Sequence, residues 1–273
     1  MKASTRLRQL MATGQSLVAP GIYDGLTGRL VERAGFAAAY ASGGAIARST
    51  GIPDLGLIDP GAIVRRLEEI VEVIDIPVIA DADTGYGNAL NARRAARGFE
   101  RAGVAGFHLE DQVFPKRCGH YDDKSLVPPH EFTQKMKAMR DAMSDDDMVI
   151  IARTDAIAVE GFDAAIERAQ AYAEAGADVV FVEAPTSLEQ IEAIAERIPQ
   201  PKLINMFHGG KTPLVPLERL QALGYAIVII PSDLQRAAIH AMEATLDAIR
   251  KDGNSGALEA SMTSFQAREQ IVE

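Results

Sequence analysis

Short runs of apolar residues alternate with amphipathic segments along the whole 273-residue chain. The amphipathic segments, such as 89–102 and 162–175, carry apolar residues at intervals of three and four positions, which is typical of helices with one buried face. The apolar runs are continuous, and this indicates strands buried on both faces of a parallel sheet. The eight predicted strands are residues 17–20, 36–41, 77–81, 104–110, 148–153, 178–183, 202–206 and 225–231.

Glycines stand where a predicted helix must stop and a strand begin, a position that favours left-handed backbone. Eight alternations of strand and helix favour an α/β fold of the (β/α)8 TIM-like barrel class. A doubly wound open sheet is the alternative, but no Gly-x-Gly-x-x-Gly follows a strand. We predict one domain, 1–273, in which residues 234–273 form two extra helical segments that pack on another subunit. The four glycines are Gly35, Gly103, Gly176 and Gly224.

Composition narrows the class of protein. The chain has 28 Lys and Arg against 38 Asp and Glu, a net charge of −10, and no basic run longer than a pair, which argues against a nucleic-acid partner. No secretory leader pattern and no apolar stretch of about 20 residues are present, so we expect no membrane partner and a cytoplasmic location. One cysteine excludes an internal disulfide. A small molecule is the expected partner.

Polar residues stand at the carboxyl ends of six consecutive predicted strands. In a parallel barrel these ends meet at one mouth, where the active sites of this architecture lie. So many polar groups at one rim are hard to attribute to solvation alone. They are the Ser42-Gly43-Gly44 turn, Asp81 with Asp83, His108 with Glu110, Arg153, Glu183 and Asn205.

Three of these residues are carboxylates that repel one another unless a cation lies among them: Asp81, Asp83 and Glu110. An all-oxygen set suits Mg²⁺, which keeps several waters and takes few protein ligands. We therefore predict a Mg²⁺ site, with Mn²⁺ as a substitute. The alternative for the aspartate pair alone is a loop that caps the next helix.

The other rim residues each have a structural alternative. Arg153 can grip a substrate carboxylate in bidentate fashion or form a salt bridge with a neighbouring acid. The Ser42-Gly43-Gly44 turn offers a hydroxyl and backbone N–H groups to a carboxylate, or is simply a tight turn. His108 faces the same way as Glu110 and is either functional or a core histidine. Tyr40 is a candidate base at the same rim, although strand tyrosines are often core residues.

The chain's one cysteine lies in the polar loop Lys116-Arg117-Cys118-Gly119-His120. Two neighbouring cations bias its thiol toward thiolate, which makes Cys118 a reactive-cysteine candidate. A lone loop cysteine is often structurally neutral.

These residues resemble the isocitrate lyase and phosphoenolpyruvate mutase superfamily over positions 17 to 240. The Lys116 to His120 loop is specific and resembles the catalytic loop of the carbon–carbon lyases in that superfamily. The resemblance departs in two places: the chain is one residue shorter between Ser42 and Asp54, a segment that contains Arg48, and residues 207–213 are more similar to lyases of other substituted malates. The other segments that carry it are Pro53-Asp54-Leu55-Gly56, Asp81 to Gly87, Glu110-Asp111-Gln112, Ala152 to Ala156 and Glu183-Ala184.

The resemblance implies a role for each matching residue. Asp81, Asp83 and Glu110 would hold Mg²⁺, with Asp54 and His108 behind them. Ser42, Gly43, Gly44 and Arg153 would bind the 2-oxo-acid portion of the substrate. A homotetramer, a dimer of helix-swapped dimers, is implied as well. The remaining substrate-binding positions would be Lys116, Arg117, Gly119, His120, Glu183 and Asn205.

We therefore predict a Mg²⁺-dependent lyase that cleaves a 2-hydroxy di- or tricarboxylic acid of the 2-methylisocitrate or 2,3-dimethylmalate type into pyruvate or glyoxylate and a carboxylic acid. Cys118 would protonate the carbanion, Tyr40 would be the base, and Arg153 and His120 would assist. Closure of the 112–125 loop would exclude water. The alternatives are a phosphonopyruvate-type or carboxyphosphonoenolpyruvate mutase or hydrolase, an oxaloacetate decarboxylase, and a barrel that only binds or scaffolds.

Overall fold

The computed structural model describes residues 1–117 and 123–273. Its sheet is a closed barrel of eight parallel strands, in which each strand pairs with the next and the last pairs with the first. This confirms the predicted (β/α)8 TIM-like barrel and excludes the open sheet. The strands are β1 (Leu17–Ile22), β2 (Ala39–Ala41), β3 (Val78–Asp81), β4 (Gly106–Glu110), β5 (Val149–Thr154), β6 (Val179–Val182), β7 (Lys202–Asn205) and β8 (Tyr225–Ile230).

Helices surround the barrel, and short 3₁₀ turns over Ala156–Ala158 and Gly256–Ser261 accompany them. The helices are α1 (Ala3–Met11), α2 (Gly25–Arg33), α3 (Gly43–Ser49), α4 (Pro60–Val71), α5 (Ala89–Ala102), α6 (Pro129–Arg140), α7 (Phe162–Glu174), α8 (Leu188–Arg197), α9 (Leu217–Ala222), α10 (Asp233–Asp252) and α11 (Phe265–Val272).

Helix α5 illustrates how local sequence sets these elements. The Asn88 side chain accepts hydrogen bonds from the backbone N–H groups of Leu90 and Asn91 and so caps the first turn. The helix ends at Gly103, whose φ of 84° a residue with a side chain adopts only with strain. The other three predicted helix-ending glycines also have positive φ. The local pattern therefore fixed both ends of the helix, 89–102, as predicted.

The predicted strands overlap all eight observed strands, and their bounds differ by at most two residues except at the start of β2. The run 36–41 is strand only from Ala39, because Phe36 directly follows the left-handed Gly35 and is 37 % exposed. The run 104–110 likewise becomes strand at Gly106. Apolar residues that lead into a strand pack without joining the ladder, so sequence alone extends the strand toward the preceding helix.

One end of the barrel is filled and the other is open to the site. Side chains of alternate strand residues, including Ile79, Ile151 and Phe181, fill the interior. Leu7 of α1 is fully buried against this cluster at the amino-terminal end. Arg8 fixes α1 there by donating to the backbone carbonyl of Asp147 at 2.7 Å. Polar residues at the other strand ends therefore face a mouth that α1 leaves uncovered.

The C-terminal extension has the two predicted helical segments, α10 and α11, separated by a break that begins at Gly253. Helix α10 buries only Gln235, and its apolar residues, such as Leu246 at 64 % exposure, face outward. Helix α11 contacts α2, where Arg33 donates to the backbone carbonyl of Gln270. Exchange of these helices between subunits and the single-domain assignment stay predictions.

Within residues 1–117 and 123–273, no helix is both long and apolar enough to cross a membrane. The cytoplasmic location stays a prediction.

Candidate active site

A pocket of about 380 Å³ opens at the carboxyl ends of the strands. Alternation along each strand decides which side chains face the barrel interior: on β4, Phe107 and Leu109 pack outward, so His108 and Glu110 point inward. Nine of the residues singled out from the sequence line this one pocket. They are Tyr40, Ser42, Gly44, Asp54, Asp81, Lys116, Arg153, Glu183 and Asn205.

Tyr40, His108 and Asp81 form a buried polar cluster at the floor of the pocket. The Tyr40 hydroxyl lies 2.6 Å from His108 Nε2 and 3.3 Å from Asp81 Oδ2. Burial lowers the pKa of His108, and burial together with Asp81 raises the pKa of Tyr40 well above its usual value. These shifts keep the hydroxyl protonated and the ring neutral, and the short contact joins Tyr40 and His108 in one hydrogen-bonded pair within the site.

Asp81 is fixed by its surroundings. Oδ2 accepts from the backbone N–H of Gly43 at 3.2 Å, and Oδ1 accepts from the backbone N–H of Asp83 at 2.9 Å. Burial opposes its ionisation, but His108, Lys116 and the Asp83 N–H outweigh burial and lower the pKa of Asp81 to about 2. This carboxylate is therefore charged at neutral pH.

Asp83 lies in the turn just beyond the end of β3 and does not continue the strand. Strand β3 ends at Asp81, and Asp83 has a φ of 44°. Its carbonyl accepts from the backbone N–H of Glu110 at 2.9 Å, so the β3 turn is tied to the end of β4. Burial raises the pKa of Asp83 to about 6, against the opposing charge of Lys116.

Lys116 reaches into the carboxylates. Its Nζ lies 2.5 Å from Asp54 Oδ1 and 2.9 Å from Asp83 Oδ1. Burial lowers the pKa of Lys116, but Asp83 and the other nearby acids raise it by more. The net pKa is therefore well above its usual value. The Gln112 side chain holds the segment by bonding the backbone N–H and C=O of Arg117, both at 2.9 Å. Arg117 itself is exposed.

The carboxylates fit a hydrated divalent cation better than a fully chelated one. In the part of the chain that the structure describes, no three Asp, Glu, His or Cys side chains converge as a ready metal cluster. Glu110 Oε1 is buried without a hydrogen-bond partner among those residues, and burial raises the pKa of Glu110 well above its usual value. Mg²⁺ keeps several waters and takes few protein ligands. Asp81, Asp83 and Glu110 are the residues that could hold it, with Asp54 beside them.

Arg153 forms the salt bridges that are one of the two alternatives drawn from the sequence, and it also lines the pocket. Its Nε and Nη2 donate to the two oxygens of Asp155 at 2.9 and 3.1 Å, and its Nη1 lies 3.4 Å from Glu110 Oε2. Its guanidinium also stacks 5.3 Å from the centre of the Phe181 ring. This leaves one edge of the guanidinium for a ligand in the pocket.

Asp155 is a site residue that the sequence analysis did not single out. Besides Arg153 it accepts from Lys124 Nζ at 2.9 Å, and its own N–H donates to Asp111 Oδ1 at 3.0 Å. In the sequence, Asp155 stands two residues after Arg153, so both side chains fall on the same side of an extended chain. That spacing is the signal by which Asp155 could have been identified. Asp155 orients Arg153 and ties it to Lys124, just beyond the 116–120 loop.

The Ser42-Gly43-Gly44 turn begins α3. The Ser42 hydroxyl accepts from the Ala45 N–H at 3.3 Å and caps the helix. A Cβ on Gly43 would lie 2.7 Å from Asp81 Oδ2, and one on Gly44 would lie 2.8 Å from Asp54 Oδ2. Glycine is therefore required by the close approach of two carboxylates, and the Gly43 N–H serves Asp81.

Other pocket residues lay outside the sequence prediction. Gln235 at the start of α10 donates to the backbone carbonyl of Ala45 at 2.9 Å and joins α10 to α3. They are Arg48, Phe207, His208, Gly209, Ile229, Pro231, Ser232, Gln235, Arg236 and Ile239. Except for Ile229, which lies within β8, these residues follow the ends of β2, β7 and β8 in the sequence. Three predicted residues, Cys118, Gly119 and His120, lie outside the described residues.

A parallel barrel whose mouth combines buried acids, an oriented arginine and a tyrosine–histidine pair is a barrel enzyme for small anionic substrates. Comparison with known families narrows that class. The model of the phosphoenolpyruvate phosphomutase family matches residues 7–250, so the chain belongs to that family.

Individual relatives agree. The chain is 43 % identical to the 2,3-dimethylmalate lyase of Eubacterium barkeri, over 97 % of this chain and 92 % of the relative. It is 46 % identical to the 2-methylisocitrate lyase of Aeropyrum pernix, over 90 % of this chain and 80 % of the relative. With the Bacillus subtilis 2-methylisocitrate lyase the identity is 41 %, over 98 % and 87 %.

Solved structures show the same relationship. A crystal structure of 2,3-dimethylmalate lyase superposes with a TM-score of 0.94 at 36 % identity and covers 100 % of this chain and 92 % of that one. The structure of oxaloacetate acetylhydrolase with 3,3-difluorooxalacetate superposes with a TM-score of 0.93 at 34 % identity, over 99 % of this chain and 93 % of that one. The structure of phosphonopyruvate hydrolase with oxalate and Mg²⁺ superposes with a TM-score of 0.90 at 30 % identity, over 99 % of this chain and 95 % of that one. These similarities confirm the superfamily and the carbon–carbon lyase that the sequence predicted.

Proposed function

We propose that the chain cleaves the C2–C3 bond of a 2-hydroxy acid that bears a carboxylate on C3, of the 2-methylisocitrate or 2,3-dimethylmalate type. The products would be pyruvate or glyoxylate and a second carboxylic acid. The observation that carries this proposal is the convergence of Tyr40, Asp81 and Arg153 on one pocket. The three relatives named above are each named as a lyase of one of these two substrates.

Each described residue has a task in this cleavage. Arg153, oriented by Asp155, grips a substrate carboxylate through its remaining edge. Tyr40 takes the proton of the 2-hydroxyl as it hands its own to His108 Nε2, 2.6 Å away. Asn205 offers a buried Oδ1, which has no hydrogen-bond partner among the described residues, to a donor on the ligand.

Divalent-metal dependence is a property of this family, and Mg²⁺, with Mn²⁺ as a substitute, is our proposal. Asp81, Asp83 and Glu110 would hold the ion, directly or through water. When bound, it supplies Lewis-acid stabilisation of developing negative charge on oxygen. Lys116 forms ion pairs with Asp83 and Asp54, and its charge opposes the burial that raises the pKa of Asp83.

Cleavage leaves an electron pair on the carbon beside the C3 carboxylate, and a proton must arrive there. We assign that proton to Cys118, on the sequence of the 116–120 loop alone. A phosphonopyruvate-type mutase or hydrolase needs no acid at this position, so the presence of a thiol favours the lyase.

We also propose a homotetramer of helix-swapped dimers. Helix α10 extends over 20 residues with a single buried side chain, and its apolar residues need a cover. A second copy of the barrel would supply it.

The test is a substrate screen for 2-oxo-acid release with and without Mg²⁺. The panel is 2-methylisocitrate, 2,3-dimethylmalate, isocitrate, oxaloacetate and phosphonopyruvate. We expect turnover of one of the first two, loss of turnover with EDTA and recovery with Mg²⁺ or Mn²⁺, and no recovery for Asp83→Ala. Turnover of phosphonopyruvate alone would contradict the lyase proposal. Full activity after exhaustive chelation would contradict the proposed metal dependence.

A further inference from the structure

Arg48 differs from the other cations of the pocket. It lies in the last turn of α3, its side chain is exposed, and it lines the pocket. Its Nη1 would lie 3.1 Å from a Cβ on Gly44, so the guanidinium lies against the second residue of the helix. The absence of a side chain on Gly44 lets Arg48 approach the mouth.

The charges of the pocket leave Arg48 available to a ligand. Four Arg and Lys side chains of the described chain line the pocket. Lys116 pairs with Asp54 and Asp83, and Arg153 with Asp155 and Glu110. The third, Arg236, donates to the backbone carbonyl of His208 and lies 3.5 Å from Asp233. Arg48 is the fourth, and its side chain has no ion pair or hydrogen bond with any residue in the described part of the chain.

Arg48 and Arg153 approach the pocket from well-separated sides. Arg48 follows β2, whereas Arg153 is the second-last residue of β5, three strands further round a closed barrel of eight. A ligand that satisfies both cations therefore carries carboxylates at two ends. A dicarboxylic substrate places its two carboxylates on adjacent carbons, whereas a tricarboxylic one has a further carboxylate on the substituent of C3.

We propose that Arg48 is a specificity-determining residue that binds the carboxylate on the C3 substituent of a tricarboxylic substrate. The inference rests on the proposed lyase function and extends it: the enzyme prefers a 2-methylisocitrate-type substrate to a 2,3-dimethylmalate-type one. Residues 207–213, which are more similar to lyases of other substituted malates, indicate the opposite preference. The experiment below decides between the two substrates.

The experiment compares Arg48→Gln and Arg48→Lys with wild type. Arg48→Gln should lower kcat/KM for 2-methylisocitrate about tenfold, the value of one charged contact at a solvent-exposed site. It should change kcat/KM for 2,3-dimethylmalate less than about threefold, the effect of a charge that makes no direct contact. Arg48→Lys should recover part of the loss. The matched control is Arg101→Gln, which removes an exposed charge at the other end of the barrel, in the last turn of α5.

Calorimetry with the two carboxylic-acid products separates this inference from the lyase itself. Arg48→Gln should weaken binding of succinate, which carries the extra carboxylate, and leave binding of propionate unchanged. Equal losses for both substrates and both acids would mean that Arg48 only supports the fold, and no loss for any of them would mean that it does not touch the ligand. If neither substrate is cleaved, the lyase proposal fails while succinate binding still tests Arg48.

Discussion

Tyr172→Phe removes one hydroxyl from a buried polar network beneath the site and nothing else. The ring is fully buried against Phe132, with centroids 4.2 Å apart, and phenylalanine fills the same space. The hydroxyl donates to Asp111 Oδ2 at 2.8 Å and accepts from Arg168 Nη1 at 3.1 Å. Both partners carry charge, so the substitution isolates charge-assisted hydrogen bonds without creating a cavity.

The remaining partners set the magnitude. Asp111 Oδ2 still accepts from Thr154 Oγ1 at 2.7 Å, and Arg168 Nη1 still donates to the Val127 carbonyl at 2.9 Å. Hydrogen bonds to charged groups contribute about 1.5–3 kcal/mol, so we expect the free energy of unfolding to fall by about 1.5–2.5 kcal/mol. The midpoint of thermal unfolding should fall by about 3–10 °C.

Tyr225→Phe is the matched control. Tyr225 is also buried, but its hydroxyl donates to a neutral group, the backbone carbonyl of Ile191, at 2.9 Å. A neutral hydrogen bond is worth about 1 kcal/mol, so this loss should be the smaller one.

Urea unfolding followed by far-UV circular dichroism measures both losses, because the chain has no tryptophan and each substitution alters the tyrosine signal. Two protein concentrations separate unfolding from subunit dissociation. If Tyr225→Phe destabilises the protein as much as Tyr172→Phe does, the charge of Asp111 and Arg168 adds nothing and the reasoning is wrong.

Two further predictions concern the chemistry and the assembly. Cys118→Ser should keep the fold and Mg²⁺ affinity but lose about 10²–10⁴ in kcat on the best lyase substrate, because a hydroxyl is a much weaker acid than a thiol. Near-wild-type cleavage would show that Cys118 is not the acid. Truncation after Ile230 removes α10 and α11 and should leave a monomeric or insoluble protein, since the partner's apolar surface loses its cover. Light scattering tests this, and a wild-type monomer at micromolar concentration would contradict it.

The sequence alone predicted the eight strands and the mouth at which their polar ends meet. Continuous apolar runs such as 178–183 and helix-ending glycines such as Gly103 are local signals, and each is read from a few neighbouring residues. Alternation within β4 likewise assigns His108 and Glu110 to the same side of the strand, because side chains two residues apart share a face. Local rules were enough because a barrel repeats one supersecondary unit eight times.

The tertiary structure decided which charges pair with which. Lys116 was assigned from its neighbours in the loop, yet its ammonium lies among Asp54 and Asp83, two acids from other parts of the chain. Asp155 meets Lys124, 31 residues away, and Arg48 alone among the pocket's described Arg and Lys side chains has no such partner. An ion pair depends on distances of a few ångströms between segments that only barrel closure brings together, and no local periodicity encodes those distances.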